Sequence, residues 1–221
     1  ASTDAANPRY YNDPKGAAKT AQRGNPNGHV VRFADANRDP AATSFTWDVY
    51  LFGSRATMSA DINASGLTED NDFSSPDGMW FSQAAAGLLW LQTDDGKFTD
   101  VTNCMMLAAL PGQVGDGGKR TLTNIGSDGV STKTQDTVVG AQATGTTLRR
   151  FLVGPVACEI TGIAESGDGR AIFVNIQHPG EEGTSATDPT KFGSHWPDGG
   201  TARPRSATIV ITKDDGGRIG A

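Results

Sequence analysis

The sequence predicts an all-β chain assembled from β-propeller blades, and three observations carry that reading. The 221 residues hold 28 Gly and 11 Pro but only 20% charged side chains, a balance that favours a loop-rich β fold over disorder. Short apolar stretches recur along the chain, each closed by Gly, Pro or Asp-Gly turn residues. The order of strand, tight turn, apolar strand, loop and strand then begins again in the second half.

The elements follow in order. Residues 1–28 are rich in Asn, Asp, Pro and Gly and read as a loop-rich arm. His29–Phe33 and Phe45–Phe52 read as strands, the second alternating aromatic and polar residues before Gly53-Ser54 ends it. A short irregular helix is expected around Thr57–Ile62. Ser75-Pro-Asp-Gly78 is a turn leading into the apolar Met79-Trp-Phe81. Gly87–Asp94 and Cys104–Ala109 are the next strands, and residues 111–147, crowded with Gly, Thr and Asp, read as a long loop or an irregular hairpin. Leu148–Val153 is a strand stopped by Gly154-Pro155. Cys158–Ile163, the turn Gly167–Arg170, Ala171–Gln177, a polar loop over 179–204 and Ala207–Thr212 complete the second round.

A recurring four-stranded antiparallel unit is the signature of a propeller blade, which cannot bury both faces and must stack on neighbours. A β-sandwich also uses short strands and Gly turns, but the recurrence favours the propeller. The boundaries divide the chain into a partial blade over 29–72, a blade over 73–155 and a blade over 156–221. Two to three blades fall below the usual minimum of about four, so further blades or partners are expected to complete the ring.

Composition excludes several functions. The net charge of −6 disfavours nucleic acid or an anionic membrane surface as main partner, since both reward a basic face. The longest apolar run, Ala84–Leu91, is too short to span a bilayer. Cys104 and Cys158 can form one bridge or none, and most simply are buried thiols. The chain opens at Ala1 without a signal peptide, which fits a mature form or a fragment. There is no Gly-x-Ser-x-Gly elbow, no true phosphate loop at Gly112–Lys119 and no complete calcium loop after Asp70-Asn-Asp72. His29, His178 and His195 lie too far apart for a zinc signature.

Phe73–Phe81, Leu89–Asp94, Arg150–Pro155, Cys158–Gly162, Phe173–Glu181, Ser194–Gly199 and Arg203–Ala207, with Asp4–Arg9 and Gly28–Arg32 before them, form an ordered set of motifs. Together they resemble the C-terminal half of the PhoX-type alkaline phosphatases. The resemblance runs from about residue 4 to 220. It implies two to three blades of a six-bladed propeller, with 1–221 as the C-terminal part of one domain. It further implies an iron–calcium cluster (Fe³⁺ and Ca²⁺) that hydrolyses phosphate monoesters, and an exported, periplasmic or extracellular protein. The segments expected to hold the bridging Cys, an Arg-Pro-Glu motif and most acidic iron ligands lie upstream, so the upstream half of the propeller is an expected partner. The Asn103–Leu107 stretch departs from the family pattern.

The resemblance also nominates site residues, each with an ordinary structural alternative. Asp77, in Pro-Asp-Gly, is a turn residue or a calcium ligand, since hard cations take carboxylate and carbonyl oxygens. Asn71 and Asp72, just upstream, are candidates to join it. Glu159 opens an otherwise apolar strand, where a carboxylate must be paired or metal-bound, and Arg149 or Arg150 is the ordinary partner. Asp94 ends its strand as a turn residue or a ligand. His178 and Gln177 stand at a strand end as candidates to support the metal or contact phosphate. Arg203 and Arg205 flank Pro204 and suit bidentate phosphate binding, unless Asp198 pairs with them. Trp47, Trp80, Trp90 and Trp196 read as packing residues. Two other functions use the same features: a non-catalytic calcium-binding or interaction propeller, and a calcium-dependent lactonase-like propeller.

Overall fold

The computed structural model describes residues 27–60, 62–95, 102–125 and 132–220. Among them lie eleven strands: β1 His29–Asp35, β2 Phe45–Phe52, β3 Pro76–Phe81, β4 Leu89–Thr93, β5 Met105–Ala109, β6 Lys119–Ile125, β7 Thr132–Val138, β8 Leu148–Val153, β9 Glu159–Glu165, β10 Ala171–Gln177 and β11 Ala207–Thr212. Two short 3-10 turns, Ala36–Arg38 and Pro189–Lys191, are the only helical elements described. No helix among the described residues is long and apolar enough to cross a membrane. The chain forms two compact units, one drawn from Ala1–Ser75 with Pro111–Thr146, the other from Pro76–Leu110 with Thr147–Ala221.

In the first unit β1 pairs antiparallel with β2, and β6 with β7. The core is Val49, Phe52, Ala64, Leu122 and Val139. Beside it Asp48, fully buried, accepts from Arg32 and from the Gly115 N–H at 2.6 Å, while Asp116 accepts from the same guanidinium at 3.0 Å. Burial opposes the Arg32 charge, but the bonds to Asp48 and Asp116 outweigh it and raise its pKa. Gly117 lies so close to the Gly140 carbonyl that any Cβ would overlap it, which explains one of the glycines crowding this stretch. The helix expected around Thr57–Ile62 is instead a run of turns. The Asn63 amide holds them, accepting from Leu67 N and donating to Leu67 O, each at 2.8 Å. A side chain that bonds the backbone locally in this way competes with a helix.

In the second unit β3-β4-β5-β8 form a four-stranded antiparallel sheet, and β9-β10-β11 a three-stranded one in the order β11-β10-β9. β4 is buried along its length, as a strand covered on both faces must be. β10 alternates, with Ile172, Val174 and Ile176 inward and Phe173, Asn175 and Gln177 outward. The core joins these residues to Trp90, Met106 and Ile160. Trp90 packs against Phe151 with the rings tilted and their centroids 4.7 Å apart, and its indole N–H donates to Glu165 at 3.1 Å.

The segment 111–147, expected as a loop or irregular hairpin between β5 and β8, carries the β6–β7 hairpin, which packs within the first unit. The boundary of the first unit therefore falls inside the stretch expected as one blade over 73–155.

Candidate metal centre

The pairing of the second unit brings four acidic or imidazole side chains to strand ends. Pro76 pairs with Thr93, which sets Asp77 on β3 near Asp94, the residue after β4. Gln177 pairs with Glu159, which sets His178, the residue after β10, beside the first residue of β9. Ligand atoms of Asp94, Glu159 and His178 all lie within 4.8 Å of one another. His178 has φ of 36° and Ala157, two residues before Glu159, has φ of 49°. Left-handed backbone at non-Gly residues is strained, and such strain collects where a side chain must be held in place.

Neighbouring contacts fix the supporting loops. The Asp95 N–H donates to the Cys104 sulfur at 3.0 Å, which ties the loop carrying Asp94 to the start of β5. The Asn103 amide donates to Gly154 O at 2.8 Å. A Cβ on Gly154 would lie 2.5 Å from the Cys158 sulfur, so the turn before β9 closes on the core only with glycine. Both cysteines are free and buried, and burial raises both pKa values, that of Cys158 to about 12. Neither thiol is poised to serve as a thiolate ligand.

The electrostatics of the centre are unfavourable to an isolated acid cluster. Glu159 is 8% exposed. Burial first, then the negative charges of Asp94 and Asp77, push its carboxyl above the ordinary range, while His178 pulls the other way. His178 Nε2 lies 3.4 Å from Glu159 and Nδ1 3.1 Å from Glu181. The Nδ1–Glu181 approach is close but off line, so buried Nδ1 has no aligned hydrogen bond among the described residues. Crowded carboxylates with a buried member fit a hard divalent cation, which would take their oxygens and relieve the repulsion. The imidazole fits calcium less well and suits the support of a ligating carboxylate.

The other nominated residues have surroundings of their own. Asn71 and Asp72 belong to the first unit, where they hold the 54–72 loop. Asn71 Oδ1 accepts from Thr68 N at 2.8 Å and Asp72 Oδ2 from Ala56 N at 3.2 Å. Gln177 is exposed. Arg205 makes a two-pronged ion pair with Asp198, at 3.1 and 3.0 Å, the ordinary alternative for that residue. Arg203 is exposed and has no hydrogen bond or ion pair among the described residues. The partner of Glu159 is His178 rather than Arg149 or Arg150. The sequence reading did not single out Glu181. Its signal was the i+3 spacing from His178 within a stretch already nominated.

The family model described as alkaline phosphatase PhoX matches residues 1–180. The chain belongs to the PhoX alkaline phosphatase family. Among solved structures, this PhoX-family chain is similar to Pseudomonas fluorescens PhoX in complex with vanadate, a transition state analogue. The two are 32% identical with a TM-score of 0.62 over 90% of this chain. The matched region is 29% of that chain, so the present chain spans less than a third of its relative. The likeness agrees with the observed sheets: the fold is all-β, of the β-propeller type. A search of curated proteins finds no match.

Proposed function

We propose that this chain forms part of a metal-dependent phosphatase that hydrolyses phosphate monoesters, and that it holds calcium through Asp94 and Glu159 with Asp77 beside them. The convergence of Asp94, Glu159 and His178 at strand ends, in a PhoX-family chain, is the observation that carries this reading. A bound cation there supplies Lewis-acid polarisation of the phosphoryl oxygen and neutralises the charge that builds on it. The residues of this chain do the positioning. β4 and β9 aim Asp94 and Glu159, His178 orients Glu159, and Glu181 stands behind the imidazole. The buried thiols of Cys104 and Cys158 do not supply a thiolate to an iron ion, and the family likeness places most iron ligands in the upstream part of the propeller.

The remaining blades come from the upstream part of the propeller. Phe33, Phe45, Met79 and Phe81 are each more than half exposed, apolar faces that further blades would cover. Family likeness further supports export to the periplasm or beyond.

Plasma mass spectrometry for Fe and Ca, combined with hydrolysis of p-nitrophenyl phosphate at alkaline pH, tests the reading. Calcium retained by the chain, with turnover once the upstream half is supplied, is the expected result. Calcium without turnover in the completed protein would overturn the phosphatase and leave a calcium-binding propeller.

A further inference from the structure

The second unit contains a hollow that the metal centre does not account for. It has a volume of about 310 Å³ and is lined by His178, Pro179, Glu181, Phe192, Arg203 and Pro204, among others. Small-molecule pockets begin at about that size, roughly 300 Å³. His178 belongs to both places: its Nε2 faces Glu159, and its ring forms part of the wall of the hollow. A substrate whose phosphoryl group were held by a cation on these carboxylates would have the hollow beside it, across the His178 ring.

The walls are built in advance. The His178 N–H donates to Ser206 Oγ at 2.9 Å, Gly180 N to Val156 O at 2.9 Å, and Thr184 N to Lys191 O at 3.1 Å. Gly180, with φ of 74°, packs so tightly on Ser194 that a Cβ would overlap its backbone nitrogen. Bonds and contacts of this kind on several sides keep the hollow from closing on itself.

Its charge is unbalanced at one position. Arg205 is spent on Asp198, and Glu181 faces His178. Arg203 alone of these presents a guanidinium with no partner among the described residues. Its planar set of donors matches carboxylate or phosphate oxygens, while Phe192 and the two prolines offer apolar walls for a carbon skeleton.

We propose that this hollow receives the alcohol part of the phosphate ester, and that Arg203 selects leaving groups that carry a negative charge of their own. The proposal rests on the phosphatase reading above and adds to it a substrate class: phosphomonoesters with a second anionic group on the leaving alcohol.

Two substrates with the same carbon skeleton test it. 3-Phosphoglycerate carries a carboxylate where glycerol 3-phosphate carries a hydroxymethyl group. In the complete metal-loaded enzyme, Arg203→Gln is expected to lower kcat/KM for 3-phosphoglycerate about tenfold more than for glycerol 3-phosphate, mainly through KM, since a charge-assisted hydrogen bond is lost. Arg203→Lys is expected to restore part of the preference. Arg203 is exposed, and a thermal melt checks that both variants fold. Equal losses on the two substrates, or none, would overturn the assignment of Arg203 while leaving the phosphatase reading intact. Hydrolysis of neither substrate by the unsubstituted enzyme would overturn the phosphatase reading and this proposal with it.

Discussion

Glu159→Gln tests the metal centre because it should change stability in opposite directions with and without calcium. Ligand atoms of Asp94 and Glu159 lie within 4.8 Å of each other. Two unit charges at about that separation repel by roughly 3 kcal/mol at an effective dielectric of 20 and by roughly 1 kcal/mol in bulk water. Asp94 is exposed and His178 offsets part of the charge, so the lower figure applies. Burial, Asp94 and Asp77 raise the folded pKa of Glu159, so the folded state holds its proton more tightly than the unfolded state does. Its ionisation therefore costs stability as pH rises through the ordinary value of 4.5 towards the folded value. A neutral amide removes that cost. In excess chelator at neutral pH, Glu159→Gln should melt about 2–4 °C above the unsubstituted protein, the shift that roughly 1 kcal/mol produces in a domain of this size. Calcium reverses the order. At about one hundred times its dissociation constant it adds roughly 2.7 kcal/mol to the unsubstituted protein. A variant that binds about one hundredfold more weakly gains only about 0.4 kcal/mol at the same calcium concentration. Differential scanning calorimetry with chelator and then with calcium reads both arms. A variant that melts lower in chelator, or gains as much from calcium as the unsubstituted protein, would refute the reasoning.

Further outcomes follow from the two cores. Asp48→Ala leaves the half-buried Arg32 without its main partner, and urea unfolding should lose about 2 kcal/mol, softened by the surviving contact to Asp116. Burial opposes ionisation of Glu165, but bonds from Ser82, Trp90 and the Gln83 and Ala84 N–H groups outweigh it and lower its pKa below 4.5. The stability this adds is present above about pH 4.5 and is lost as pH falls through the folded value. The melting difference between Glu165→Gln and the unsubstituted protein should therefore be large at neutral pH and shrink on acidification, as read by tryptophan fluorescence. Burial, then Cys104, pushes the Cys158 thiol up to about 12, and Cys104 is raised as well. A thiol reagent at mildly alkaline pH should be silent on the folded protein and report both cysteines on unfolding.

The strands were legible because their information is local. Ala171–Gln177 alternates inward and outward in the sequence as it does in the sheet, and Ala207–Thr212 has the same bounds in both. Where the deciding contact is distant, local pattern is silent. The Gly- and Thr-rich stretch after Pro111 has the letters of a loop. Nothing in it records that Gly117 must pass against Gly140, or that its hairpin packs with β2 in the first unit. The Thr57–Ile62 segment misled for a related reason: the short helix expected there loses to one asparagine outside it that satisfies the Leu67 backbone in both directions. The centre divides along the same line. Glu159 is nominated because a carboxylate on an apolar strand needs a partner or a metal, Asp77 by the family resemblance at its Pro-Asp-Gly turn, and Asp94 only as a turn residue that could also ligate. Asn71 and Asp72 carried the same chemical label next door in sequence, yet the structure gives them loop backbone to hold. Residue type and position nominate candidates, while tertiary packing decides which of them come together. Pro76 opposite Thr93 places Asp77 and Asp94 at one end of their sheet, Gln177 opposite Glu159 does the same for Glu159 and His178 in the other, and the packing of the two sheets brings Asp94, Glu159 and His178 together. Arg203 is the converse case. Its sequence neighbour Arg205 has the same chemistry, and only the bond between Arg205 and Asp198 reveals which guanidinium remains available to a substrate.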